Sequence, residues 1–131
     1  MTTFVYRTQL RLKDTDATGV MYFSEQFKFA LEAFEEFLKE RGFALKELLA
    51  SSFLLPVVHA KADYFAPMQV GDLLEVALYV EKIGCSSIVL HYLFSDPNRG
   101  IEVGRAEVVH VAVDRLTRKK IPIPERLRAI L

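Results

Sequence analysis

Two carboxylates stand two positions apart in DTDATGVMYFSEQF, residues 14–27, ahead of a strongly apolar segment with helical spacing. The start of a helix exposes N–H groups without intrahelical partners, and its aligned peptides make that end electropositive. A carboxylate beside such donors and beside an apolar pocket is equipment for attack on an acyl carbonyl. The plainer reading is that Asp14 and Asp16 only cap a turn and favour the helix dipole. Asp16 stands too far ahead of the apolar stripe to be its immediate N-cap, which puts it in a loop over the helix end. Val20-Met21-Tyr22-Phe23 would line a pocket beside that loop, Gly19 would permit close approach, and Ser24 or a neighbour would begin the helix.

The elements that must position these residues can be read from period. From Phe4 to Leu12, Phe4, Tyr6, Leu10 and Leu12 alternate with Val5, Arg7, Gln9 and Arg11, a strand with one buried face. Phe27, Ala30, Leu31, Phe34, Phe37 and Leu38 then form the stripe of a helix of about 18 residues. Glu35 and Lys39 make an i,i+4 pair on its polar side, and Gly42 marks its C-terminal cap. A shorter helix spans Leu45 to Ala50. Four strands follow: Val57 to Phe65, Leu73 to Ile83, Ser87 to Phe94, and Ile101 to Val113. In the last, Val103, Arg105, Glu107, Val109, Val111 and Val113 alternate with small or polar partners. Short connections make the four antiparallel neighbours, and IPIPERLRAIL at the end is an edge segment or a short helix. The expected fold class is α+β, a helix packed on an antiparallel sheet that wraps it, in one domain over residues 1–131.

Composition excludes several function classes. Lys plus Arg and Asp plus Glu both count 17, so no basic excess supports nucleic-acid binding. The run RLTRKK, residues 115–120, reads as a solvated turn. Cys85 alone supplies neither an intrachain disulfide nor a cysteine metal framework. His59, His91 and His110 sit singly on strands without i,i+2 or i,i+4 pairing, so no metal is expected. The start, MTTFVYRTQLRLKD, is not patterned as a secretory signal, and no apolar run approaches membrane-spanning length; no membrane association and a cytoplasmic setting are the expectation. An apolar content of 51% suggests that a second subunit covers part of the surface.

DTDATGVMYF resembles the signature of the hot-dog-fold acyl-CoA thioesterases, in the 4-hydroxybenzoyl-CoA thioesterase family and its Tol–Pal-associated bacterial relatives. The resemblance continues at ADYFAPMQVGDLLEV, residues 62–76, and in the order of elements. It implies a five-stranded antiparallel sheet around one long helix and an acyl-CoA substrate. No cofactor is implied beyond the coenzyme A of the substrate, and the assembly would be a homodimer or homotetramer. It makes Asp16 the catalytic carboxylate, as nucleophile or as general base for a water. The Phe23 backbone N–H, in the first helical turn, would hold the thioester oxygen. Gly19 would shape the turn and Tyr22 would line the acyl or pantetheine channel. Relatives carry a tyrosine where this chain has Gln26, and an acid where it has Leu31, although Glu32 is adjacent. The missing acid leans against a hydroxybenzoyl substrate and toward an aliphatic or plain aromatic acyl group.

Gly84-Cys85-Ser86-Ser87 corresponds in relatives to a segment beside bound CoA, so Ser86 and Ser87 are candidate pantetheine or phosphate ligands. A polar hairpin turn is the alternative. Cys85 reads as a small turn residue. His59, just before the second family motif, is a candidate at the pocket edge, with an exposed or structural histidine as the alternative. A non-hydrolytic acyl-CoA or acyl-carrier-protein binding domain is the competing function, but a sensor has no need of a placed Asp16. A hot-dog dehydratase needs a catalytic histidine, and none lies between Met1 and Val58.

Overall fold

The structure, a computed structural model, describes residues 3–131. Strand β1 (Phe4–Gln9) and a single 3-10 turn (Leu12–Asp14) lead through a loop to helix α1 (Glu25–Glu40) and the short α2 (Leu45–Leu49). There follow β2 (Phe53–Leu54), β3 (Val57–Tyr64), β4 (Leu73–Ile83), β5 (Ser87–Asp96), β6 (Ile101–Val111), β7 (Val113–Asp114) and α3 (Glu125–Arg128). Five strands form one antiparallel sheet in the order β1-β4-β5-β6-β3. Sheet and helix share one core. Phe29, Ala33, Phe34, Phe37 and Leu38 of α1 are buried with Leu74, Val76 and Leu78 of β4 and Ile88, Leu90 and Phe94 of β5. Gly42, at φ +82°, ends the helix as the sequence indicates. Burying a large apolar side chain contributes about 1.5–3 kcal/mol, so this face, rather than helix propensity, holds α1 in place.

The four long strands are antiparallel neighbours, and β4, β5 and β6 follow sequence order, but β3 does not lie beside β4. β3 pairs with β6, and β4 pairs with β1 and β5. Residues 65–72 therefore cross the end of the sheet instead of closing a hairpin. That segment buries Met68 completely, and Phe65 and Ala66 donate their N–H groups to Val103 O at 2.9 and 3.3 Å. Burial of apolar residues outweighs the shorter connection.

Other departures are local. Leu12 is 75% exposed, because the strand ends at Gln9 and the 3-10 turn breaks the alternation. The α1 stripe is turned toward Phe29 and Ala33, which leaves Leu31 half exposed. Glu35 and Lys39 form no ion pair among the described residues; Lys28 pairs with Glu25 instead, at 2.9 Å. In β6 the inward residues past Gly104 are Ala106, Val108 and His110, the opposite phase from that expected. The pairing explains the change: Phe94 faces Gly104 while Ser95 faces Glu102, so Val103 is an extra, bulged residue. The RLTRKK segment is the expected turn, with Arg118 at φ +63°.

Gln26 ties the helix start to the sheet. Its Nε2 donates to the carbonyls of Asp63 in β3 and Arg105 in β6, at 3.2 and 2.9 Å. Gly104 lies directly beneath: a Cβ there would meet Gln26 Oε1 at 2.6 Å and Asp63 O at 2.7 Å. Gly104→Ala should therefore lower unfolding stability by about 1–3 kcal/mol, the usual cost of overpacking, as read by chemical denaturation.

Candidate active site

The two acids divide the structural and exposed roles between them. Asp14 is buried; its Oδ2 accepts from Arg11 N–H at 2.9 Å, and its carbonyl accepts from Tyr22 N–H at 3.0 Å. The capping alternative therefore describes Asp14. Asp16 opens a tight turn in which its own N–H reaches Val20 O at 2.8 Å and Gly19 N–H returns to Asp16 O at 3.1 Å. Gly19 closes that turn at φ +79°, a conformation that suits glycine. The Asp16 carboxylate is exposed, and its Oδ1 accepts from the Thr18 hydroxyl at 2.6 Å and the Thr18 N–H at 2.8 Å. The hydroxyl bond foremost, then the N–H, holds Asp16 below the usual carboxylate range, so it is ionised at neutral pH.

This loop is stitched to the crossover. Met21 N–H donates to Met68 O at 2.7 Å, Val70 N–H donates to Gly19 O at 2.9 Å, and Thr15 bridges to Met21. Helix α1 starts at Glu25 with Ser24 as its N-cap, so Phe23 lies just before the first turn rather than within it. The Ser24 hydroxyl makes no capping bond. Among the described residues, no acceptor meets the N–H of Phe23 or of Ser24. The Phe23 carbonyl is occupied by the Tyr64 hydroxyl at 2.6 Å. Beside these free donors opens a cavity of about 320 Å³ lined by Met21, Phe23, Tyr64, Phe65, Ala66, Pro67 and Met68. The crossover thus forms one wall, which gives the second motif, residues 62–76, a physical reason for its composition.

A second cavity, of about 290 Å³, lies between α1 and the sheet edge, where Phe27, Lys28, Ala30, Leu31, Val57, Ala60, Tyr92, Val108 and His110 line it. Its wall is almost wholly apolar. Leu31 stands at this cavity, whereas Glu32 points elsewhere and accepts from the Tyr6 hydroxyl at 3.0 Å.

The remaining candidates lie outside both cavities. Tyr22 is exposed and packs its ring on that of Phe23, with centroids 4.7 Å apart. Ser86 and Ser87 occupy the β4–β5 hairpin, under the C-terminal segment. Arg128 donates there to Gly84 O at 2.8 Å, and Ile123 N–H to Cys85 O at 2.8 Å. β3 does edge the second cavity, through Val57 and Ala60, but alternation turns His59 to the opposite face with Lys61. On that face Glu107 lies near His59, Lys61 and His91, and His91 Nε2 is 2.7 Å from Glu81 and 3.1 Å from Glu107. Sequence spacing misses this cluster because its members come from four strands.

Nothing local in the sequence marks His110 or Tyr92 as lining a cavity. The phase of β6 would have pointed to His110 had the Val103 bulge been foreseeable. Thr18→Val removes the strongest bond to the Asp16 carboxylate. The pH midpoint of the Asp16 side-chain carbon signal, followed by NMR, should then rise toward the ordinary aspartate range.

Residues 10–131 match the thioesterase-like superfamily. A 1,4-dihydroxy-2-naphthoyl-CoA hydrolase of Prochlorococcus marinus (strain NATL1A) is 38% identical over 126 residues, spanning 90% of this chain and 83% of that protein. The crystal structure of Slr0204, a 1,4-dihydroxy-2-naphthoyl-CoA thioesterase from Synechocystis, superposes with a TM-score of 0.93 at 33% identity, covering 98% of this chain and 95% of that one. The gentisyl-coenzyme A thioesterase BH1999 gives 0.85 at 26% identity, over 95% and 98% of the two chains. The expected five-stranded hot-dog sheet around one helix is present, and with it the family: the chain belongs to the thioesterase-like superfamily and is an acyl-CoA thioester hydrolase.

Proposed function

We propose that the protein hydrolyses an aromatic acyl-CoA of the 1,4-dihydroxy-2-naphthoyl type, with Asp16 as the catalytic carboxylate. The observation that carries the chemistry is the pair of unpartnered N–H groups at Phe23 and Ser24, open beside an apolar cavity. The Phe23 N–H holds the thioester oxygen as negative charge develops on it. By one route Asp16 attacks the carbonyl carbon, the C–S bond breaks to release coenzyme A as its thiolate, and water then hydrolyses the Asp16 acyl anhydride to free acid and carboxylate, its proton going to the thiolate. By the other, Asp16 takes a proton from a water that attacks, and returns it to the departing thiolate. The hydrogen bonds from Thr18 keep Asp16 ionised, as either role requires. Neither metal nor bound cofactor is needed; coenzyme A enters with the substrate. The substrate class rests on the relatives and on a cavity whose volume and apolar wall suit a fused ring.

In the single chain Asp16 is exposed and lines neither cavity, so the site needs a second copy. β3 is an edge strand of eight residues, with Val57, Val58 and Tyr64 exposed. Two such edges pairing antiparallel bring the Tyr64 end of one chain beside the Val57 end of the other. Tyr64 is bonded to Phe23, and Val57 lines the second cavity. The donors of one protomer thereby face the acyl cavity of its partner. A homodimer is the working unit, and pairing of dimers into a tetramer would cover more of the apolar surface. The exposed, unpaired Cys85 suits a reducing cytoplasm. Among the described residues no helix is long and apolar enough to cross a membrane.

On a thiol-release panel from acetyl- and palmitoyl- to benzoyl- and 1,4-dihydroxy-2-naphthoyl-CoA, the bicyclic substrate should show the highest kcat/KM. Asp16→Asn should lower kcat by at least about 10²-fold while leaving acyl-CoA binding intact. Equal thiol release by native protein and Asp16→Asn on every substrate would overturn the assignment. Sedimentation at micromolar concentration should give a dimer or tetramer; a monomer there would remove the shared site.

A further inference from the structure

The cavity between α1 and the sheet contains two polar groups that nothing in the fold consumes. Tyr92 is 1% exposed, yet its hydroxyl has no hydrogen-bond partner among the described residues. Burial pushes its phenol well above the ordinary range, so it stays protonated and can donate. His110, 4% exposed, stacks on Phe34 with ring centroids 5.0 Å apart. Its Nδ1 lies 2.9 Å from Leu55 O. A carbonyl only accepts, so Nδ1 carries the proton. Burial, the main influence on this ring, lowers its pKa and keeps it neutral. Nε2 is then a lone-pair acceptor, and His110 has no second hydrogen bond. The two residues face the same cavity from adjacent strands: Tyr92 is opposite Ala106, and His110 stands four positions further along β6. The rest of the lining is apolar except for Lys28, whose ammonium pairs with Glu25 at 2.9 Å.

We propose that this cavity takes the aryl part of the acyl group and that Tyr92 Oη and His110 Nε2 select for ring hydroxyls. A donor at one place and an acceptor at another suit a ring that bears hydroxyl groups. An unsubstituted ring would leave both polar groups without partners in an apolar wall, which penalises its binding. The inference rests on the aryl-CoA reading given above and adds to it the residues that read the substituents. It also makes a plain aromatic or aliphatic acyl group the poorer fit, despite the apolar Leu31.

The test compares 1,4-dihydroxy-2-naphthoyl-CoA with 2-naphthoyl-CoA on the native protein, Tyr92→Phe and His110→Asn. Tyr92→Phe removes one oxygen and keeps the ring. His110→Asn retains a side-chain N–H near Leu55 O and deletes the Nε2 acceptor. Each variant should lose about tenfold in kcat/KM on the dihydroxy substrate and change within about twofold on 2-naphthoyl-CoA. A merely structural role would lower both substrates alike, and that result, or no loss on either, overturns the proposal. Histidine-labelled native protein supplies a readout independent of the variants. The unprotonated Nε2 signal of His110 should move upfield when 1,4-dihydroxy-2-naphthoate binds, and stay in place with 2-naphthoate; equal behaviour with the two acids also overturns it. Hydrolysis of both naphthoyl thioesters with unchanged selectivity in the variants removes only the roles of Tyr92 and His110. Failure of the native protein on every aryl-CoA, with activity on aliphatic thioesters, removes the aryl reading itself.

Discussion

Two main-chain hydrogen bonds, Met21 N–H to Met68 O and Val70 N–H to Gly19 O, set the geometry on which the site depends. They fasten the acid-bearing turn to the crossover, and the crossover is itself anchored by a buried Met68 and by two N–H groups on Val103 O. Because the chain approaches α1 along this fixed path, the helix can begin at Glu25 with Phe23 and Ser24 left without acceptors. Phe23 is exposed and Ser24 half-buried, so these two donors stay open to solvent or to a ligand. Sheet topology thereby reaches the chemistry directly. Had β3 and β4 formed a hairpin, no segment would pass beneath the turn.

Much of this was legible in the sequence for a simple reason: period survives wherever one face is buried. β4 runs from Leu73 to Ile83 as its alternation indicates, and the core of α1 lies on its apolar side. What escaped is set by contacts between distant residues. The crossover after β3 looked like a short connection, because nothing local reveals which edge of a sheet a strand will join. The Val103 bulge reversed the phase of β6 and hid His110 from a period-two reading. His59 stands next to the second motif in sequence, yet one step of alternation turns it to the far face.

At the site, its distance ahead of the apolar stripe and the family resemblance mark Asp16 in the sequence, and the structure adds Thr18 as the residue that keeps it charged. Exposure and ionisation go together here, since a carboxylate in the apolar cavity would be pushed toward its neutral form. The cavity between α1 and the sheet follows the opposite logic. Tyr92 and His110 are neutral there because burial resists charge, and neutral groups can exchange hydrogen bonds with a hydroxyl without the desolvation cost of an ion. Charge sits in the turn and neutral polarity in the cavity.

Gln26 gives this arrangement a mechanical character. One amide clamps the beginning of α1 to both β3 and β6, above a glycine that leaves no slack. The outer strand and the helix start consequently move as a single stiff lever, and fraying of one must drag the other. Adaptation to bulkier ligands has little freedom at that end of the molecule. It is left to the half-exposed Leu31 side, where substitutions can reshape the opening without disturbing the clamp.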